Sequence, residues 1–103
     1  MIYCNWKVNS PGFSHGGVGI VFRQESMSLR KLKIHNPRKF EVVVAEGKVV
    51  GCGRKMVIIG CYIPSNYNVP RAREAMEFIA GAVTEAKRRL DDPLMVVAGD
   101  FNQ

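Results

Sequence analysis

Asp100 and Asn102 stand two positions apart, directly after the apolar run Leu94-Met95-Val96-Val97-Ala98 and Gly99. A carboxylate is an oxygen ligand for a hard cation and a carboxamide is an uncharged donor, and together they suit phosphate ester chemistry. Side chains on an extended segment alternate, so the pair is expected to share one face. A further polar group, Tyr62, closes the run Lys55–Ile63 just before Pro64, with Ser65 and Asn66 next in line. Proline ends ladder pairing, so Tyr62 is expected at a strand exit. A single tyrosine there is also what an amphipathic rim residue looks like.

These groups need elements to bring them together. A short apolar run bounded by a helix and a glycine predicts a buried strand over 94–98, and Gly99 lets the chain bend as it leaves. Before it, after Asn66-Tyr67-Asn68 and with Pro70 in the first turn, apolar residues recur at Ala72, Met76, Ile79, Val83, Ala86 and Leu90. Those steps of four and three predict one helical stripe facing a core. Arg73–Glu77 and Glu85–Arg89 have i,i+4 spacing, and Asp91-Asp92-Pro93 ends the helix. A helix of about 18–20 residues crosses a whole sheet, and a crossover of that length favours parallel flanking strands. Tyr62 and Asp100 would then emerge at the same edge of one sheet, where α/β proteins place their sites.

Upstream, 18–23 reads as a strand, Leu29, Leu32 and Ile34 form a weaker extension ended by His35-Asn36-Pro37, and 40–46 and 55–63 are rich in β-branched residues. The last two are expected to pair antiparallel. Between them, 47–53 holds either a short extended piece, Lys48-Val49-Val50, or a long turn. The class is α/β, a mixed sheet with one long packed helix.

The 103 residues, 47% hydrophobic, allow one globular unit. The net charge of +6 and a pI near 9.6 bias the chain towards polyanions, nucleic acid first. Its basic residues cluster at Arg30-Lys31-Lys33, Arg38-Lys39, Arg54-Lys55, Arg71/Arg73 and Lys87-Arg88-Arg89, and each cluster is either a phosphate contact or solvated surface. Cys4, Cys52 and Cys61 are odd in number and lack C-x-x-C spacing, so neither a disulfide framework nor a zinc knuckle is indicated, and Cys61 reads as a small buried hydrophobe. No apolar run approaches the roughly 20 residues of a membrane span, and the amino terminus lacks a secretory pattern. The expectation is an intracellular protein, nuclear or cytoplasmic, neither secreted nor membrane-bound.

Three blocks in order, His15-Gly16-Gly17-Val18-Gly19-Ile20, Cys61-Tyr62-Ile63-Pro64-Ser65 and Gly99-Asp100-Phe101-Asn102, resemble the endonuclease/exonuclease/phosphatase superfamily. Within it, the chain is most similar to the apurinic-type endonuclease domains of non-LTR retrotransposons. The resemblance implies a four-layered α/β sandwich and Mg²⁺-dependent (or Mn²⁺-dependent) phosphodiester hydrolysis on DNA. It implies that Asp100 activates or orients the attacking water and binds the metal, that Asn102 contacts the phosphate, and that Tyr62 lies near the scissile phosphate. Ser65 stands where members usually carry Asn, with Asn66 one place later, and both fall to the phosphate-contacting side together with Arg71 and Arg73.

The family's amino-terminal asparagine, metal-binding glutamate, carboxy-terminal aspartate and catalytic histidine fall outside the chain. Glu25, His35 and His15 do not replace them. By this resemblance the chain is the central portion, 1–103, of a larger domain, and little turnover is expected from it alone. A non-catalytic nucleic-acid-binding remnant is the alternative, as is another branch of the superfamily, phosphatase, sphingomyelinase-like or deadenylase-like. A reverse transcriptase region in the same polyprotein is an expected neighbour. Half of a sandwich would expose a sheet face, drawn from Val42, Val44 and Ile58, and self-association is expected through it.

Overall fold

The computed structural model describes the backbone at residues 2–4, 8–10 and 13–14, and the whole chain from 18 to 102. The run Val42-Val43-Val44-Ala45 is apolar at every position, as a strand covered on both faces must be. It lies in the central strand β6 (Glu41–Val49), which pairs antiparallel with β5 (Met27–Lys31) on one side and β7 (Lys55–Tyr62) on the other. The helix α1 (Val69–Arg89) leads from β7 to β8 (Leu94–Asp100), and β8 adds to β7 in parallel. The order β5-β6-β7-β8 makes a mixed four-stranded sheet with one helix, the expected α/β fold.

Residues 48 and 49 extend β6, and 50–54 turn the chain into β7, with Gly51 at φ 82°. Of the two readings for 47–53, the strand therefore continues and the turn is short. The weak extension at 29–34 is a strand only to Lys31, although the Leu32 amide still bonds the Val44 carbonyl at 2.8 Å. The strand expected over 18–23 is limited to β4 (Val18–Ile20), antiparallel to β1 (Ile2–Cys4). A second short pair, β2 (Val8–Ser10) with β3 (Phe13–Ser14), precedes it. The His15–Gly17 part of the glycine-led block lies outside the described residues.

Alternation assigns the two faces of the sheet. Val44, Val57, Ile59 and Cys61 pack beneath α1 with Phe40 and Ile63, whereas Val43 and Ala45 face Val18, Ile20, Phe22 and Leu29. Gly60 permits this second layer, because a Cβ there would meet Val18 Cγ1 at 3.0 Å and Val43 Cγ1 at 3.3 Å. Val42 and Val44 are therefore core residues under the helix, with Val44 3% exposed, and are not part of an open face. Ile58 is half-buried on the opposite side. The continuous apolar run hides which residues face which layer, and so the exposed-face expectation fails at Val42 and Val44.

The helix runs 21 residues. Asn68 caps it by accepting from the Arg71 amide at 2.9 Å, and Pro70 sits in its first turn, where no partner for an amide is lost. Its buried stripe is Ala72, Ala75, Ile79, Ala82 and Ala86. Met76, expected in the stripe, is 41% exposed. The helix meets the sheet through small side chains, which permit close approach, and the larger apolar residues flank the contact.

Among the described residues the apolar run at 94–98 forms an edge strand and not the buried one expected, with Val96 and Val97 42% and 41% exposed. Cys61 is buried as a small hydrophobe, its thiol pushed above the usual range by desolvation, and its Sγ lies 3.6 Å from the Ala98 carbonyl. No helix among the described residues is long and apolar enough to cross a membrane.

Candidate active site at the carboxyl edge of the sheet

The last rung of the β7–β8 ladder pairs Tyr62 with Asp100. Partners in a parallel ladder point to the same side of the sheet, and alternation from Cys61 turns both away from α1. The helix crossover thus does what its length requires, returning the chain so that groups 38 positions apart end side by side. Antiparallel pairing on the other flank sets Glu41 opposite Tyr62. Glu41, Tyr62 and Asp100 therefore form one row across three strands at the same edge.

Glu41 is 3% exposed and is not a free carboxylate. Sequence reasoning did not single it out. A charged residue opening an apolar strand beside Phe40 was the available signal, and only the β6–β7 register reveals that it shares a row with Tyr62.

Two features fix Asp100. Gly99 has φ 154°, and a Cβ there would overlap the Cys61 carbonyl, so glycine is required for β8 to lie this close to β7. Beyond the ladder, the Ile63 amide donates to the Asp100 carbonyl at 2.8 Å. Asp100 itself is exposed, and its Oδ1 accepts the Asn102 amide at 3.2 Å, a local Asx-type turn.

Asn102 does not continue the alternation. It adopts φ 47°, a left-handed conformation that asparagine tolerates better than most residues, and its Nδ2 donates to the Ile63 carbonyl at 2.9 Å. The carboxamide expected to share a face with Asp100 is instead folded back onto the neighbouring strand exit. That exit continues into a turn in which the Tyr67 amide bonds the Pro64 carbonyl at 3.2 Å, leaving Ser65 and Asn66 exposed between them. Tyr62, Asp100 and Asn102 are thus gathered, and Ser65 and Asn66 lie on the same edge.

The two arginines part company. Arg71 is half-buried, its guanidinium 4.7 Å from the Tyr67 ring and 5.1 Å from the Phe40 ring, with Nη2 3.4 Å from the Arg38 carbonyl. Stacked this way it holds the helix start to the 36–40 loop, which Asn36 pins by bonding both the amide and the carbonyl of Phe40 at 3.0 and 2.7 Å. Arg73 is exposed, and the Arg73–Glu77 pair suggested by spacing does not form. Glu25 and His35 are exposed, as expected of surface residues.

The donor set fits a hard cation only as a shared ligand. Among the described residues no three of His, Cys, Asp and Glu converge, and Asp100 offers one exposed carboxylate. Mg²⁺ commonly keeps its waters and takes one or two carboxylates together with substrate phosphate oxygens, so Asp100 can contribute to such a site and cannot form a closed cage. Comparisons of the chain with protein-family profiles, with curated proteins and with solved structures return no match.

Proposed function

We infer that the chain carries part of a phosphodiester-hydrolysing site that acts on DNA with the help of a divalent cation, in the manner of the endonuclease/exonuclease/phosphatase proteins its motifs resemble. One observation carries this reading: Tyr62 and Asp100 are register partners on one face at the carboxyl edge of parallel strands, with Asn102 anchored beside them. In this reading Asp100 orients water and ligates Mg²⁺ or Mn²⁺, Tyr62 stabilises charge developing on the phosphoryl group, and Asn102 fixes the strand exit that both depend on. Ser65, Asn66 and Arg73 line the approach of the nucleic acid. Bound with a phosphate, the cation supplies neutralisation of charge.

The wider reading is the central portion of a retroelement endonuclease, a four-layered sandwich that works inside the cell alongside a reverse transcriptase region. A remnant that binds nucleic acid without cleaving it is the second reading, favoured by a +6 charge and by Asp100 being the one exposed carboxylate of the Tyr62 row. Nicking of supercoiled plasmid separates the two. The chain alone is expected to give near-background turnover, and the chain joined to its flanking coding sequence is expected to nick in Mg²⁺. There Asp100→Ala abolishes cleavage and Tyr62→Phe lowers it by about 10²–10³-fold, the usual cost of one transition-state contact. Undiminished cleavage by Asp100→Ala defeats the assignment of the site to the Tyr62–Asp100 edge, and retained DNA binding without any cleavage by the joined chain supports the remnant.

A further inference from the structure

At the end of the sheet far from Tyr62, two like charges face each other. Lys48 and Lys55 are direct cross-strand partners, and alternation from Glu46 and Val57 puts both on the side that α1 covers. Like charges directly opposite on an antiparallel pair destabilise it. Neither lysine has a hydrogen-bond or ion-pair partner among the described residues, and both are exposed.

Three of the nearby carboxylates are already engaged. Glu46 pairs with Arg30 at 2.5 Å, Asp92 with Arg54 at 3.3 Å and Glu85 with Arg89 at 2.8 Å. Two open cavities, of about 250 and 480 Å³, meet at the lysines. The smaller is also walled by Arg30 and Glu46, the larger by Arg54, Arg89, Asp91 and Asp92. The result is a groove in which two lysines without partners and three arginines outnumber three carboxylates, Glu46, Asp91 and Asp92.

We propose that this groove, between the β6–β7 turn and the carboxyl end of α1, binds the phosphate backbone of nucleic acid at a site separate from the Tyr62–Asp100 edge. Charge complementarity selects the ligand: adjacent phosphates along a chain relieve the Lys48–Lys55 repulsion and release counterions, whereas an uncharged partner would bury it. Separation follows from the sheet. Lys55 is seven residues from Tyr62 along β7, roughly 23 Å at about 3.3 Å per residue, and on the opposite face. Because the two sites lie on opposite faces of the sheet, a straight duplex lying on one does not lie on the other, and the proposal stands whether or not the Tyr62 edge is catalytic.

The test is binding of a 10-base-pair duplex, without metal, to the chain and to Lys48→Gln/Lys55→Gln, with inorganic tripolyphosphate as a second probe. The double variant is expected to lose about tenfold in duplex affinity at 50 mM salt, to flatten the salt slope by one to two, and to melt at a higher temperature at low salt because the repulsion is gone. Unchanged affinity and slope in the double variant overturn the proposal. So does tripolyphosphate binding that the variant loses while duplex binding stays the same. Plasmid nicking is not used in the measurement, so failure here leaves the hydrolytic reading untouched.

Discussion

Asn102 and Ile63 close the β7–β8 ladder beyond its last backbone rung: the Asn102 side chain donates to the Ile63 carbonyl at 2.9 Å while the Ile63 amide donates to the Asp100 carbonyl at 2.8 Å. The two strand exits are stitched together by a side chain, and Tyr62 and Asp100 lie just inside the stitch. Asn102→Ala is expected to cost about 1 kcal/mol in chemical denaturation, with a further few tenths to 1 kcal/mol because alanine disfavours φ 47°. Asn102→Gly removes the bond and keeps the backbone angle. The gap between the two variants separates the two effects.

Gly99 is the more sensitive position. Gly99→Ala drives a Cβ into the Cys61 carbonyl and is expected to destabilise the chain by more than about 2 kcal/mol, seen as a lower midpoint in urea. An unchanged midpoint would mean that β8 lies further from β7 than the ladder places it.

Arg71 and Arg73 should separate cleanly. Arg71→Ala loses two ring contacts and is expected to cost about 1–2 kcal/mol in stability. Arg73→Ala should leave the melting temperature unchanged and reduce the salt slope of DNA binding by about one. The opposite pattern would make Arg71 the nucleic-acid contact and Arg73 structural.

Glu85 carries a pH dependence. Hydrogen bonds from Arg88 first, and then Arg89, hold its carboxyl at about 2, below the ordinary value near 4.5. A depressed folded-state value means that the contribution is full above about pH 4.5 and lost as pH falls towards 2. Glu85→Gln should therefore melt below the parent at pH 7 and match it at pH 2. A constant difference at both pH values would show that packing, and not charge, carries the effect.

The exposed edge of β8 is expected to mediate self-association. Among the described residues β8 pairs only with β7, and its run Leu94–Gly99 carries none of the charges or prolines that usually blunt an edge. Val97→Lys should raise the monomer fraction in light scattering. Equal association in parent and variant would move the contact elsewhere.

Much of the site was legible because it depends on local signals. The long helix and the parallel return of the chain follow from periodicity and length, and they bring Tyr62 beside Asp100. Four things were not legible for physical reasons. The helix stripe took in Met76 because large apolar residues dominate periodicity and missed Ala75 and Ala82, small residues that fit closely against the sheet. The faces of β6 were ambiguous because Val42–Ala45 is apolar throughout. The fold-back of Asn102 depends on a left-handed turn that alternation cannot foresee, and Glu41 joins the row only through non-local pairing.

The β7–α1–β8 crossover also acts as a ruler. Tyr62 and Asp100 meet only if helix and connections together return the chain to the same rung. One residue inserted inside α1 would rotate the alanine stripe beyond it by about 100° and strip the sheet of half its cover. Added at the Ser65-Asn66 turn, the same residue could loop outward and leave both strands in register. Length can therefore vary where the ends of this segment meet solvent and not along its body, so the interval between the tyrosine and the aspartate is itself a structural element.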